Sequence, residues 1–165
     1  MKVYIADMLK SNGASLNVGF VEKLEGLDQE ESSIVFTDPV EFTGTIVNEK
    51  GILRLRGHVK AKYRGTCFRC LKEVTGEIGA DVSEEFLSAA ENTDKDAFTY
   101  EGNYVTLDKA IKDNIILGMP MKLVCSEACK GLCPVCGTDL NERACDCRVE
   151  PVNTRMESLK RFFDS

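Results

Sequence analysis

The placement of eight cysteines constrains this chain more than any other feature. They are Cys67, Cys70, Cys125, Cys129, Cys133, Cys136, Cys145 and Cys147, and six of them crowd into "CSEACKGLCPVCGTDLNERACDC". Eight divides into two sets of four, the ligand count of a closed structural zinc site. In Cys133-Pro-Val-Cys136-Gly137 a two-residue gap followed by glycine lets both sulfurs converge on one ion. Cys67-Phe-Arg-Cys70 repeats the gap. The opening "MKVYIADMLKSNG" lacks the apolar core and small-residue cleavage site of a secretory signal. A cytoplasmic location, or its organellar equivalent, is therefore expected. Thiols stay reduced there, so the cluster points to metal rather than to disulfides.

Zinc–sulfur bonds of about 2.3 Å place the sulfurs of one site within roughly 4 Å of each other. Cys133, Cys136, Cys145 and Cys147 can close locally around the intervening "GTDLNERA". That leaves Cys67 and Cys70 with Cys125 and Cys129, clipping a hairpin tip to a distant segment. The alternative joins Cys67 and Cys70 to Cys133 and Cys136, and spacing leaves it open. Other thiol chemistries fit less well. A thioredoxin-type pair sits at a helix start inside a βαβ unit, and "CFRC" does not. Cys129-x3-Cys133-Pro imitates the end of a ferredoxin run, but the gap before it has three residues rather than two. A catalytic zinc keeps an open position and recruits histidine or carboxylate, whereas the only histidine, His58, lies on an expected strand. The expectation is one or two structural zinc ions, all eight cysteines as ligands, and no catalytic residue.

Period-2 alternation marks three half-buried strands, at 40–46, 53–64 and 74–82. In the second, Leu53, Leu55, Val59, Ala61 and Tyr63 face one way and Arg54, Arg56, His58, Lys60, Lys62 and Arg64 the other. Two shorter strands are expected around Val3 and Ile5 and from Leu16 to Phe20, with an acidic loop at 28–33. Residues 83–103 read mostly as loop. Helix 106–118 follows from Leu107, Ala110, Ile111, Asn114 and Ile115, with Leu117 extending the apolar side and Gly118 and Pro120 ending it. A short amphipathic stretch at 151–163 places Met156, Leu159 and Phe163 on one side. The expected fold class is α+β: an antiparallel sheet (a meander) with one main helix over 1–120. A C-terminal cysteine-rich, zinc-binding segment, 121–165, packs on the same domain. No apolar run is long enough to span a bilayer.

The net charge of −6 disfavours nucleic-acid binding by bulk charge. Yet no acidic residue occurs from Lys50 through Lys72. With a hairpin symmetric about Phe68 and Arg69, Arg64 faces Glu73, Lys60 faces Glu77 and Arg56 faces Asp81. Arg54, Lys62, Arg69 and Lys72 are then left unpaired. With Phe68 as a stacking group, these four are the candidate RNA contacts. The competing reading is an ordinary solvated strand face.

Several stretches together resemble one family. "GTCFRCLKEV" resembles the C-x-R-C-L signature of the YceD-like large ribosomal RNA subunit accumulation proteins. "VTLDKAIKDNIILGMPMKLVC" is similar to that family's helix and the segment after it, with Gly118-Met119 where a Leu-Ala pair is common. "CKGLCPVCGTDLNERACDC" resembles the tail of many bacterial members, and "PVNTRMESLKRFF" the closing segment. The likeness covers most of 34–163. It implies a non-enzymatic role in large-subunit ribosomal RNA accumulation and ribosome assembly. The implied partner is that RNA or a ribosomal protein, with no membrane and no small-molecule substrate. It also implies that Cys67, Cys70, Cys125 and Cys129 act as one unit. The alternatives are a protein-binding adaptor or chaperone for a ribosomal protein, and a C-x-x-C redox protein.

Overall fold

The computed structural model describes residues 1–24, 26–27, 34–90, 92 and 94–147. The expected acidic loop at 28–33 and amphipathic stretch at 151–163 lie outside the described residues. The three alternating segments form β4 (Val40–Glu49), β5 (Ile52–Thr66) and β6 (Glu73–Ser88), paired antiparallel in chain order. Their inward side chains, among them Phe42, Ile46, Leu53, Leu55, Val59, Ile78, Val82 and Phe86, form the buried core. Lys50 and Gly51 link β4 to β5 with positive φ at both positions (55° and 93°), as a tight hairpin turn requires. Beside it, buried Asn48 donates to the carbonyls of Met8 (2.8 Å) and Ser11 (3.1 Å) and accepts from the Gly51 N–H (2.8 Å). Both amide protons and the amide oxygen thereby have partners, and the short helix α1 (Ala6–Leu9) is pinned to the sheet.

The sheet is more than a meander. Its order is β1 (Lys2–Tyr4), β8 (Tyr104–Thr106), β7 (Phe98–Glu101), β6, β5, β4, β2 (Ser15–Glu22), with β3 (Ile34–Phe36) beside the far end of β5. β6 and β7 run parallel, in the register Phe86↔Phe98. The two end strands, β1 and β2, line one surface groove, so the sheet curls into a nearly closed barrel. Curling is eased where Gly44 pairs with Gly57. A Cβ on Gly57 would lie 2.7 Å from the Phe42 ring and 2.5 Å from the Thr43 carbonyl, because that ring fills the space over both glycines.

Two expectations are corrected here. Residues 83–103, expected mostly as loop, are about half strand: β6 runs to Ser88, Phe86 keeps its inward alternation, and β7 covers Phe98–Glu101. The acidic Glu84 disguised this. It lies on the inner face, where its carboxylate accepts from Asn114 at 2.6 Å. Helix α2 (Asp108–Gly118) starts two residues late because Thr106 belongs to β8. It buries Ala110, Ile111 and Ile115 over β6, but Leu117 is 82% exposed. Two residues beyond Ile115, it is turned about 200° round the helix from the packed stripe. No helix among the described residues is long and apolar enough to cross a membrane.

Candidate metal centres

The turn between β5 and β6 is a knuckle. The Cys67 N–H donates to the Lys72 carbonyl (2.8 Å) and the Leu71 N–H to the Cys67 carbonyl (2.9 Å), which brings Cys67 and Cys70 together. The chain leaving α2 crosses this tip, where the Phe68 N–H donates to the Leu123 carbonyl (2.9 Å), and delivers Cys125 and Cys129. The four sulfurs of Cys67, Cys70, Cys125 and Cys129 lie within 4.8 Å of one another. The Cys67 and Cys129 sulfurs are 4.0 Å apart and those of Cys70 and Cys125 3.6 Å. Tetrahedral zinc at about 2.3 Å from each sulfur demands about 3.8 Å between sulfurs. The Arg69 and Cys125 N–H groups each donate to Cys67 Sγ at 3.4 Å.

The second knuckle repeats the first. The Cys133 N–H donates to the Thr138 carbonyl (2.8 Å) and the Gly137 N–H to the Cys133 carbonyl (2.9 Å). Its sulfurs group with those of Cys145 and Cys147, again within 4.8 Å. The locally closed pairing is thus the one that forms, and Cys67 and Cys70 are not grouped with Cys133 and Cys136. Leu71 stands where the second knuckle has Gly137, and both adopt positive φ, 60° and 72°.

The thiols of each group are electrostatically divided. Burial opposes ionisation of Cys67, but N–H donation from Cys70, Arg69 and Cys125 overrides it and holds the thiol at about 6. Cys125, beside the sulfurs of Cys129 and Cys70, is pushed up to about 12. In the second group the Thr138 hydroxyl and N–H hold Cys136 at about 6, and the neighbouring Cys136 sulfur pushes Cys147 to about 12. Four clustered thiols therefore do not ionise together unaided, and a cation at the centre would remove the conflict. With sulfur donors only, and four of them, each group fits a closed tetrahedral ion and offers no open position.

The candidate RNA contacts are placed differently from expectation. The β5–β6 register is two residues from the expected one, with Lys62 opposite Glu77, His58 opposite Asp81 and Arg54 opposite Glu85. The cause is a knuckle that turns tightly between Thr66 and Glu73, shifting the symmetry point toward Cys70. Lys60 and Arg56 consequently face Gly79 and Ser83, and only Arg64–Glu73 survives, as a diagonal contact at 3.7 Å. Arg54 bridges Glu49 (3.2 Å) and Glu85 (3.1 Å), and Lys62 lies 3.8 Å from Asp38. Lys72 is held by Glu142 (2.6 Å) and Asp139 (2.8 Å), and these carboxylates, Asp139 foremost, raise its pKa. Arg69 donates to the carbonyls of Glu127 (3.0 Å) and Cys129 (2.9 Å). Arg56 and Lys60, both exposed, form no ion pair among the described residues. Phe68 is 59% exposed. Sequence reasoning missed Asp139 and Asn141, which look like ordinary loop polar residues between the last four cysteines.

The family model of the large ribosomal RNA subunit accumulation protein YceD matches residues 55–163, more than half the chain. The chain belongs to the YceD family. The match takes in most of β5, all of β6 and α2, and both cysteine groups. Among curated YceD relatives, the chloroplastic YCED homolog 1 of Arabidopsis thaliana is 28% identical over 68% of this chain and 44% of its own length. That of Zea mays is 28% identical over 76% of this chain and 54% of its own. An uncharacterised protein of Mycobacterium tuberculosis is 34% identical over 55% of this chain and 46% of its own. The chain thus spans about half the length of the curated relatives it matches. No solved structure matches.

Proposed function

We propose that this protein is a non-enzymatic factor for large-subunit ribosomal RNA accumulation and ribosome assembly, working in the cytoplasm and stabilised by two structural zinc ions. The observation that carries the reading is the pair of all-cysteine cages, set inside a region that matches the YceD family. A closed four-sulfur cage holds a metal for architecture; it leaves no site for substrate or water. Its role is to fix the β5–β6 tip against the segment after α2. Phe68 and Leu71, the latter 65% exposed, are thereby presented on a rigid knuckle. The partner is large-subunit ribosomal RNA, met by the outer face of β5 and by this tip.

A second reading, an adaptor for a ribosomal protein, draws support from one observation. Arg54, Lys62, Arg69 and Lys72 are all engaged by groups of this chain. A salt titration of binding to large-subunit ribosomal RNA fragments separates the two. Salt-sensitive binding supports RNA contact. Binding to ribosomal proteins with no affinity for the RNA supports the adaptor.

A further inference from the structure

Asn141 lies between Cys136 and Cys145, inside the loop that the second cysteine group closes, yet its side chain serves the first group. Its Oδ1 accepts from the Lys130 N–H at 2.8 Å, which fixes the amide orientation. Nδ2 is thereby aimed at Cys129 Sγ, 3.4 Å away, and at Asp139 Oδ1, 2.7 Å away. Its two protons therefore have two acceptors. The Asn141 N–H also donates to Asp139 Oδ1 (2.8 Å), and the Leu140 N–H to the Gly131 carbonyl (2.9 Å). From the same loop Asp139 and Glu142 hold Lys72, two residues after Cys70.

We infer that Asn141 is a positioning residue for the first metal, and that through it the two metal sites bind cooperatively. The inference rests on the reading of both cysteine groups as metal sites. An N–H donor on a ligating thiolate draws off negative charge and fixes the direction of the sulfur lone pairs. Asn141 can donate only while its loop is folded, and the loop is held at both ends by the second site. Filling the second site thus prepares the first. By linkage, filling the first strengthens the second by the same factor. The second site, closed within 133–147, forms first; the first joins sulfurs 62 residues apart, Cys67 and Cys129.

The test is competition with EDTA on the full chain loaded with cadmium, followed by cadmium NMR, in which each four-sulfur site gives its own resonance. Asn141→Ala is expected to lower cadmium affinity at the first site about tenfold. Cys145→Ser/Cys147→Ser is expected to lower it at least as much, and adding Asn141→Ala to that double variant to change nothing further. An unshifted second-site resonance at saturating cadmium certifies that the loop of Asn141→Ala is still folded. First-site affinity within twofold of the unsubstituted chain, with that resonance in place, overturns the inference and leaves the metal reading standing. An unsubstituted chain that shows no cadmium–thiolate resonance overturns the metal reading itself.

Discussion

The Arg69 guanidinium, on the tip between β5 and β6, donates to the carbonyl of Cys129 at 2.9 Å, across 60 residues of sequence. The same nitrogen reaches the Glu127 carbonyl, and the Arg69 carbonyl accepts from the Leu132 N–H at 3.0 Å. Arg69 thus sews the sheet to the cysteine-rich segment as an organic counterpart of the first cage. Arg69→Ala removes charge-assisted hydrogen bonds and is expected to cost about 2 kcal/mol. Urea denaturation of the metal-loaded protein without any partner measures it. Unchanged stability would return Arg69 to the pool of free surface cations.

Leu71 carries a large side chain at φ 60°, where the second knuckle has Gly137. A left-handed non-glycine residue costs roughly 1–2 kcal/mol, and glycine gives back roughly 0.5–1 in chain entropy. Leu71→Gly is therefore expected to raise stability by about 0.5–1 kcal/mol. Retaining an exposed, strained leucine is consistent with a contact role, so the same variant is expected to bind its partner more weakly. A variant that is no more stable and binds unchanged contradicts both halves.

Gly57→Ala places a Cβ 2.5 Å from the Thr43 carbonyl and 2.7 Å from the Phe42 ring. The backbone oxygen cannot yield without breaking the β4–β5 ladder. The expected cost is about 1–3 kcal/mol or more, read as a lowered thermal midpoint.

On the outer face of β5 the cations without an ion pair among the described residues are Arg56 and Lys60, rather than Arg54 and Lys62. Arg56 has neutral cross-strand neighbours, Thr45 and Ser83, and Lys60 sits opposite Glu41 and Gly79 without closing an ion pair. Arg56→Gln/Lys60→Gln is expected to reduce the salt slope of RNA binding by about two, roughly one per lost phosphate contact. The matching change at Arg54 and Lys62 is expected to act mainly on stability. An unaltered slope in the first pair removes the face of β5 from the interface.

Much of this was legible in advance. Alternation in β4, β5 and β6 follows from Phe42, Leu55 and Val82 needing burial on one face, and of the two cysteine pairings that spacing left open, the local closure of the last four is the one that forms. Register was not legible. Only the detailed turn of the knuckle decides whether Lys62 or Lys60 meets Glu77, and a shift of two residues keeps every side chain on its face, so hydrophobic patterning cannot detect it. Closure of the barrel also lay hidden. It depends on β1 and β8, three residues each, whose pairing is long-range and whose local signal is slight. Asn141 was invisible for a related reason: a polar loop residue acquires its role only from the sulfur that folding brings beside it.

The central claim is that two metal ions order the cysteine-rich segment, the first of them holding the tip of the sheet to the segment after α2. Elemental analysis of the purified full chain, with and without strong chelator, tests it most directly. The account predicts two zinc ions per chain and a colourless protein. It further predicts that removing the ions exposes 121–147 to protease while the circular dichroism of the sheet largely persists. A chain that binds no metal and resists protease equally in chelator, or one that absorbs visible light as an iron–sulfur protein does, would contradict it.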